Sequence, residues 1–321
     1  MYSDKREQFK IQTVMVLMAT TILMTLIFAG YAAAEVVFAE KAPKSVASML
    51  RRKTVKVSYI KSKKGNRIEY GKRSGQKSKG YSIFQGSCSD GRYSYHVLYN
   101  KKKNTCKVIK VDPKKHSLIK VSPAYKMYHG NDIAYDTKRD RLVIVHGDGD
   151  TKRLSIMNPK TLRRKKVVRL RVTRAFKGAS KKTARRIKGV TGIAYDDKND
   201  QFICSVKSTF HYVVLNKKFK PVRYIKTKTR GNLQKQGMLI VDGRILRVMN
   251  RYKGKKVVGN YIYSYSRKGT LKKRIRIVTG SEVESIYIYG KNMYASTYIE
   301  KRKKGKIIKQ YSHILKLRKA S

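Results

Sequence analysis

Two acids in this chain stand where chemistry would need them. Asp132 and Glu284 open strand-like runs in the segments Asn131-Asp-Ile-Ala-Tyr-Asp and Glu284-Ser-Ile-Tyr-Ile-Tyr-Gly. Two carboxylates set across a glycosidic bond can hydrolyse it, one as acid and the other as base or nucleophile. A glycoside hydrolase is therefore one reading of the chain. The sequence assembles no Ser/His/Asp set and no Gly-rich loop that would cradle a phosphate, so no catalytic residue is assigned and no cofactor is expected. His129, His146, Asp148 and Asp150 bring two imidazoles and two carboxylates into one stretch that could hold a divalent cation, while Asp148-Gly-Asp150 also reads as an ordinary tight turn. Cys88, Cys106 and Cys204 are too few for a disulfide framework and read as small, buried, free thiols.

The elements that would position these groups show as a repeat. A polar residue, a small one, a strand-like run, a turn and a second run recur from Gln85, Asn131, Thr191, Gln236 and Glu284. Repeats of roughly 40–50 residues with several short strands each are the mark of β-propeller blades. Strands are expected near 82–88, 93–99, 105–111 and 117–121, then near 131–136, 141–146, 153–157 and 162–170. A third set falls near 191–195, 201–206, 211–215 and 220–226, and a fourth near 236–241, 244–250, 260–266 and 271–278. The fifth set has only three, near 284–289, 292–298 and 308–317; the alternating stretch at 54–60 is expected to add the missing outer strand and close the ring. The expected fold is all-β, five four-stranded blades over 81–321, preceded by a basic linker over 35–80. Gln85, Asn131, Thr191, Gln236 and Glu284, with Asp132 beside them, would line the channel mouth and offer a lectin-like site for hydroxyls or amides.

The phrases His129-Gly-Asn-Asp-Ile-Ala-Tyr-Asp and Gly189-Val-Thr-Gly-Ile-Ala-Tyr-Asp resemble blade openings of NHL and YVTN-type propellers, notably those of secreted Gram-positive proteins. The resemblance spans roughly 81–319 and implies radial sheets with a binding face around a central channel. It implies no particular reaction.

Charge supplies the strongest functional signal. Lys and Arg number 78 against 19 Asp and Glu, a formal net charge of +59. Self-repulsion on that scale favours a polyanionic surrounding: anionic cell-wall polymer, acidic lipid headgroups or nucleic acid. Lys5, Arg6 and Lys10 precede an apolar run over 11–30 and then Ala32-Ala-Ala34, so residues 1–34 read as a signal peptide or an uncleaved membrane anchor. The expected location is extracellular or at the cell surface. Sorting loops by propeller geometry puts seven turn aspartates on one face: Asp90, Asp136, Asp140, Asp196, Asp197, Asp200 and Asp242. The other face carries Lys101, Lys102 and Lys103, then Lys255 and Lys256, then Lys303 and Lys304, and the long insertion with Arg174, Lys181, Lys182, Arg185 and Arg186. Ala and Ser within that insertion allow a short helix. The leading expectation is a non-catalytic propeller that docks on anionic envelope polymer through this face. Non-specific nucleic-acid binding is a weaker alternative, since only Tyr252 and Phe176 stand among the basic loops as stacking platforms.

Overall fold

Tyr, Val and Ile at alternating positions, punctuated by Asp-Gly, Asn-Pro and Lys-Gly turns, form a run of antiparallel hairpins. The computed structural model describes residues 41–59, 69–70, 81, 83–115, 117–172, 174–254, 256–303 and 306–319. The expected signal or anchor over 1–34 lies outside the described residues.

Helix α1 (Lys44–Leu50) and strands β1 (Thr54–Tyr59) and β2 (Glu69–Tyr70) come first. Strands β3 to β6 (Ile83–Ser89, Ser94–Asn100, Thr105–Asp112, Ser117–Val121) then pair in chain order as one sheet. A second sheet holds β7 to β10 (Asp132–Asp136, Arg141–Val145, Arg153–Met157, Arg164–Arg169). The third holds β11 to β14 (Val190–Asp196, Gln201–Val206, Tyr212–Asn216, Pro221–Ile225). Strands β15 to β18 (Gln234–Val241, Arg244–Lys253, Lys256–Ser266, Leu271–Val278) and β19 to β21 (Glu282–Tyr289, Asn292–Lys303, Lys306–Lys319) share a nine-stranded sheet with β1 and β2. Most observed strand ends lie within two residues of those expected; β16, β17 and β20 extend further. The first strands of the successive units touch in cyclic order: β3 meets β7, then β11, β15 and β19, and β19 meets β3. The architecture is all-β and propeller-like.

The core lies in the gaps between neighbouring sheets. Val143, Val145 and Leu154 of the second sheet pack on Ile193, Phe202 and Val213 of the third. Phe84 and Leu98 of the first pack on Tyr287 and Ile314 of the last strands. Each fully buried side chain of this kind contributes about 1.5–3 kcal/mol, so every sheet depends on both neighbours.

The segment expected as a basic linker is in part structural. Val46 and Met49 of α1 are buried beside Val55 of β1, Ile275, Ile277 and Leu317. A few apolar residues among Lys, Arg and Ser do not stand out in composition, and a helix of 7 residues shows no sustained period. β1 pairs antiparallel with β21, Val55 opposite Lys319 and Tyr59 opposite Leu315. Its other edge pairs in parallel with β18, Val55 opposite Ile277, a contact not expected from sequence. One strand thus satisfies two sheet edges at once. Deleting residues 41–59 is expected to expose both edges, lower the melting temperature and shift the protein to larger species in size-exclusion chromatography. A truncated protein that stays monomeric with an unchanged melting temperature would contradict this role.

Candidate functional site

At the ring axis the sheets approach so closely that backbone meets backbone. A Cβ built on Gly86 would lie 2.3 Å from the Asp132 Cα, and one on Gly237 would lie 2.3 Å from the Ser285 Oγ. The polar-then-small doublets seen in sequence therefore place Gly86, Gly192, Gly237 and Ser285 where little else fits. Irregular registers at Phe84/Ser87, Val190/Gly192 and Lys235/Met238 interrupt the ladders at these points. N–H groups near these irregularities turn to side-chain acceptors at the axis.

In the second unit an acid occupies the small position. The Asp132 carboxylate is fully buried; Oδ1 accepts from Ile133 N at 3.0 Å, and Oδ2 accepts from Ile193 N at 3.0 Å and Met238 N at 3.1 Å. Ser285 Oγ accepts from Ser87 N at 3.1 Å in the same manner. Burial pushes the Asp132 carboxyl up to about 7, against the pull of the Arg247 guanidinium and the three N–H groups. Arg247 is itself fully buried among Tyr212, Tyr265 and Cys204, and burial lowers its pKa against the pull of Asp132. A Cβ on Gly192 would fall 1.7 Å from an Arg247 guanidinium nitrogen, so the missing side chain there is what admits the arginine. Asp132, expected at an open channel mouth, instead fills the axis. Its oxygens are committed to backbone, which is why a ligand role does not fit it.

The five mouth positions are mostly buried. Gln85 donates to its own neighbour Phe84 O at 2.9 Å, Asn131 Oδ1 is bonded to His129 Nδ1 at 2.9 Å, and Thr191 Oγ1 has no hydrogen-bond partner among the described residues. Gln236 and Glu284 come together around Glu282, a residue not singled out from sequence. Glu282 Oε1 accepts from Gln236 Nε2 at 2.8 Å and from the Tyr252 hydroxyl. Burial, with Glu282 beside it, raises the Glu284 carboxyl well above the usual carboxylate range. The signal missed was Glu282 two residues before Glu284, hidden by the irregularity between Val283 and Ser285.

The four candidate metal ligands have other partners. His129 stacks edge-on to Tyr99 with ring centroids 4.7 Å apart, and His146 Nε2 is bonded to Ser155 Oγ at 2.8 Å. Asp150 pairs with Arg153 at 3.1 Å and Asp148 with Lys207 at 3.9 Å. Among the described residues no group of three His, Cys, Asp or Glu side chains comes together to hold an ion. Cys88, Cys106 and Cys204 are free thiols.

The two faces differ in how their charges are matched. On the turn face, Asp136 pairs with Arg139 at 3.2 Å and Arg141 at 2.7 Å, Asp200 pairs with Arg139 at 2.5 Å, and Asp196 pairs with Arg267. The Arg139 guanidinium holds the Asp200 carboxyl well below its usual range. These acids, expected only to cap their own turns, also tie one unit to the next. Asp90 does cap its turn, accepting from Arg92 N at 2.9 Å.

On the opposite face the insertion between β10 and β11 folds into helix α2 (Lys181–Arg185), capped by Ser180, whose Oγ accepts from Thr183 N at 3.2 Å. Its outward loop is stitched to β14, with Tyr224 N donating to Lys177 O at 2.8 Å. Gly178, at φ +80°, would place a Cβ 2.7 Å from Tyr224 O, so this close approach needs glycine. The insertion is thus anchored on the outermost strand of the third sheet. Arg171, Arg174, Lys177, Lys181, Lys182, Arg185, Arg186 and Lys188 are all exposed, and none forms an ion pair among the described residues. Lys101, Lys102, Lys103 and Lys256 are exposed as well. Lys303 ends β20, while Lys255 and Lys304 lie outside the described residues.

No family model and no curated protein sequence matches the chain. Among solved structures, glutaminyl cyclase from Myxococcus xanthus superposes with a TM-score of 0.51 at 11% identity, covering 84% of this chain and 99% of that one. The tail fiber of Staphylococcus aureus phage P68 gives 0.49 at 14% identity over 86% and 56% of the two chains, and the WD40 repeats of RRP9 give 0.43 at 10% over 75% and 96%. At 11% identity the superposition on glutaminyl cyclase shows a shared propeller-type fold and nothing of activity.

Asp132→Asn tests the axis. The amide would present a donor to N–H donors and strip Arg247 of its counter-charge. The expected loss is about 3 kcal/mol or more in urea unfolding, and a change under about 0.5 kcal/mol would contradict the arrangement.

Proposed function

We propose that this chain is a five-bladed propeller, closed through β1, that docks on anionic polymer of the cell envelope through the face bearing the insertion. The nine-stranded sheet then counts as two blades joined at β1, which lies between β18 and β21. The observation that carries the docking reading is the unequal matching of charge. Arg139, Arg141 and Arg267 of the turn face are held by aspartates, while the eight cations of the insertion are exposed and unpaired among the described residues. Spaced unpaired cations on a rigid scaffold suit a repeating phosphate- or carboxylate-bearing chain, bound by charge and counter-ion release.

Two further features favour this partner. The axis is filled by Asp132 and its backbone donors, which moves binding to the rim. The aromatics that nucleic acid would need for stacking are engaged: Tyr252 bonds Glu282, and Phe176 packs half-buried against the core. An exported location, read from residues 1–34, brings the chain to envelope polymer rather than to nucleic acid.

Reversing Arg174, Lys181, Lys182 and Arg186 to Glu is expected to weaken binding to purified anionic wall polymer about ten-fold or more and to flatten its salt dependence. The same reversals at Lys114, Lys115, Lys160 and Lys217, on the other face, are expected to change it less than about three-fold. Equal losses from both sets, or tighter binding to duplex DNA than to wall polymer, would overturn the proposal.

A further inference from the structure

Where the insertion leaves the second sheet and returns to the third, it roofs a cavity of about 370 Å³. The cavity has two chemically distinct parts. Its floor is aliphatic, made by Leu170, Val172, Ile187, Val190, Val213 and Leu215, most of them members of the core between the two sheets. Its rim is cationic: Lys152, Arg169, Arg171, Arg185 and Lys188, all exposed. Among the described residues no acidic side chain lines it.

The walls are tied together by backbone and hydroxyl bonds. Leu170 N donates to Lys152 O at 2.7 Å, Val190 N donates to Thr151 O at 2.8 Å, and Thr151 Oγ1 donates to Lys188 O at 3.1 Å. The entry and exit of the insertion are therefore held apart at a fixed width, one on each side of the opening.

We propose that this cavity binds a single aliphatic chain carrying a phosphate headgroup. The argument is one of matching. A wholly apolar guest would bring five cations to its edge with no counter-charge. A bare inorganic anion would leave the aliphatic floor facing water. An alkyl phosphate covers the floor with its chain and meets the cations with its head. The cavity has room for roughly a dozen water-sized groups, which suits a chain of about eight to ten carbons with the headgroup at the rim. The rim shares Arg171, Arg185 and Lys188 with the eight cations of the docking face, but Arg174, Lys181, Lys182 and Arg186, the four reversed in the docking test, do not line it, so the two proposals can fail separately.

Titration calorimetry of the whole protein with decyl phosphate, kept below its micelle-forming concentration, tests the assignment. One molecule is expected per chain. Hexyl phosphate, inorganic phosphate and the neutral-headed decyl maltoside should each bind at least about ten-fold more weakly, since each lacks part of the match. Val172→Trp, which fills the half-buried entrance, should cost a similar factor at an unchanged melting temperature. If Val172→Trp lowers the melting temperature, the exposed double change Arg171→Glu with Arg185→Glu decides in its place and should abolish the preference for decyl phosphate over decyl maltoside. Reversal of Arg174, Lys181, Lys182 and Arg186 should leave decyl phosphate binding within about three-fold, whatever it does to polymer binding. Equal affinity for inorganic phosphate, equal affinity for decyl maltoside, many weak equivalents per chain, or variants that bind as the parent does would each overturn the proposal.

Discussion

Sheets that radiate from one axis bring their innermost backbones together, and those backbones carry N–H groups that a ladder cannot satisfy. Buried donors of this kind cost free energy unless an acceptor reaches them. Here one side chain supplies most of the acceptance: Asp132 takes N–H groups from its own unit, from the third sheet at Ile193 and from β15 at Met238. Glycines and a serine at the equivalent positions leave the space, and Arg247 balances the charge. The geometry of the rim depends on this hub, because three of the units are registered against the same carboxylate.

The hub also fills the axis, since Asp132 and its backbone donors occupy the space between the first strands. Beside it Glu282 accepts from Gln236 and Tyr252, and burial raises the Glu284 carboxyl well above the usual carboxylate range. Acids are scarce in this chain, and those of the turn face are used between units, as in Arg139 with Asp200 and Arg267 with Asp196. The eight unpaired cations of the insertion stand on the opposite face, where the insertion is fixed to β14 through Tyr224.

Much of this was legible in the amino-acid order. Alternation of strand formers placed β3 to β19 closely, and Ala and Ser near Lys181 pointed to the short helix that Ser180 caps. The doublets at 85, 131, 191, 236 and 284 were visible as a repeat, and the reason for their small member was not, since close approach of backbones leaves no local signal. Asp132 looked like a ligand because a carboxylate at a position otherwise held by Gly or Ser reads as an exception. Its backbone partners lie 61 and 106 residues away. Arg247 sits in an alternating run where an arginine suggests a solvent face, and only Gly192 across the gap makes room for it. Glu282 was hidden by a ladder irregularity, and α1 by the Lys, Arg and Ser around it.

Native-state hydrogen exchange at Ile193 and Met238 tests the hub most directly. If Asp132 holds both amides at a dry axis, they exchange only through global unfolding, and Asp132→Asn accelerates both by about 100-fold or more while the outer strands β6 and β10 change far less. Amides at Ile193 and Met238 that exchange within seconds in the parent protein, or that keep their protection in Asp132→Asn, would show that the sheets are held together by something other than this carboxylate.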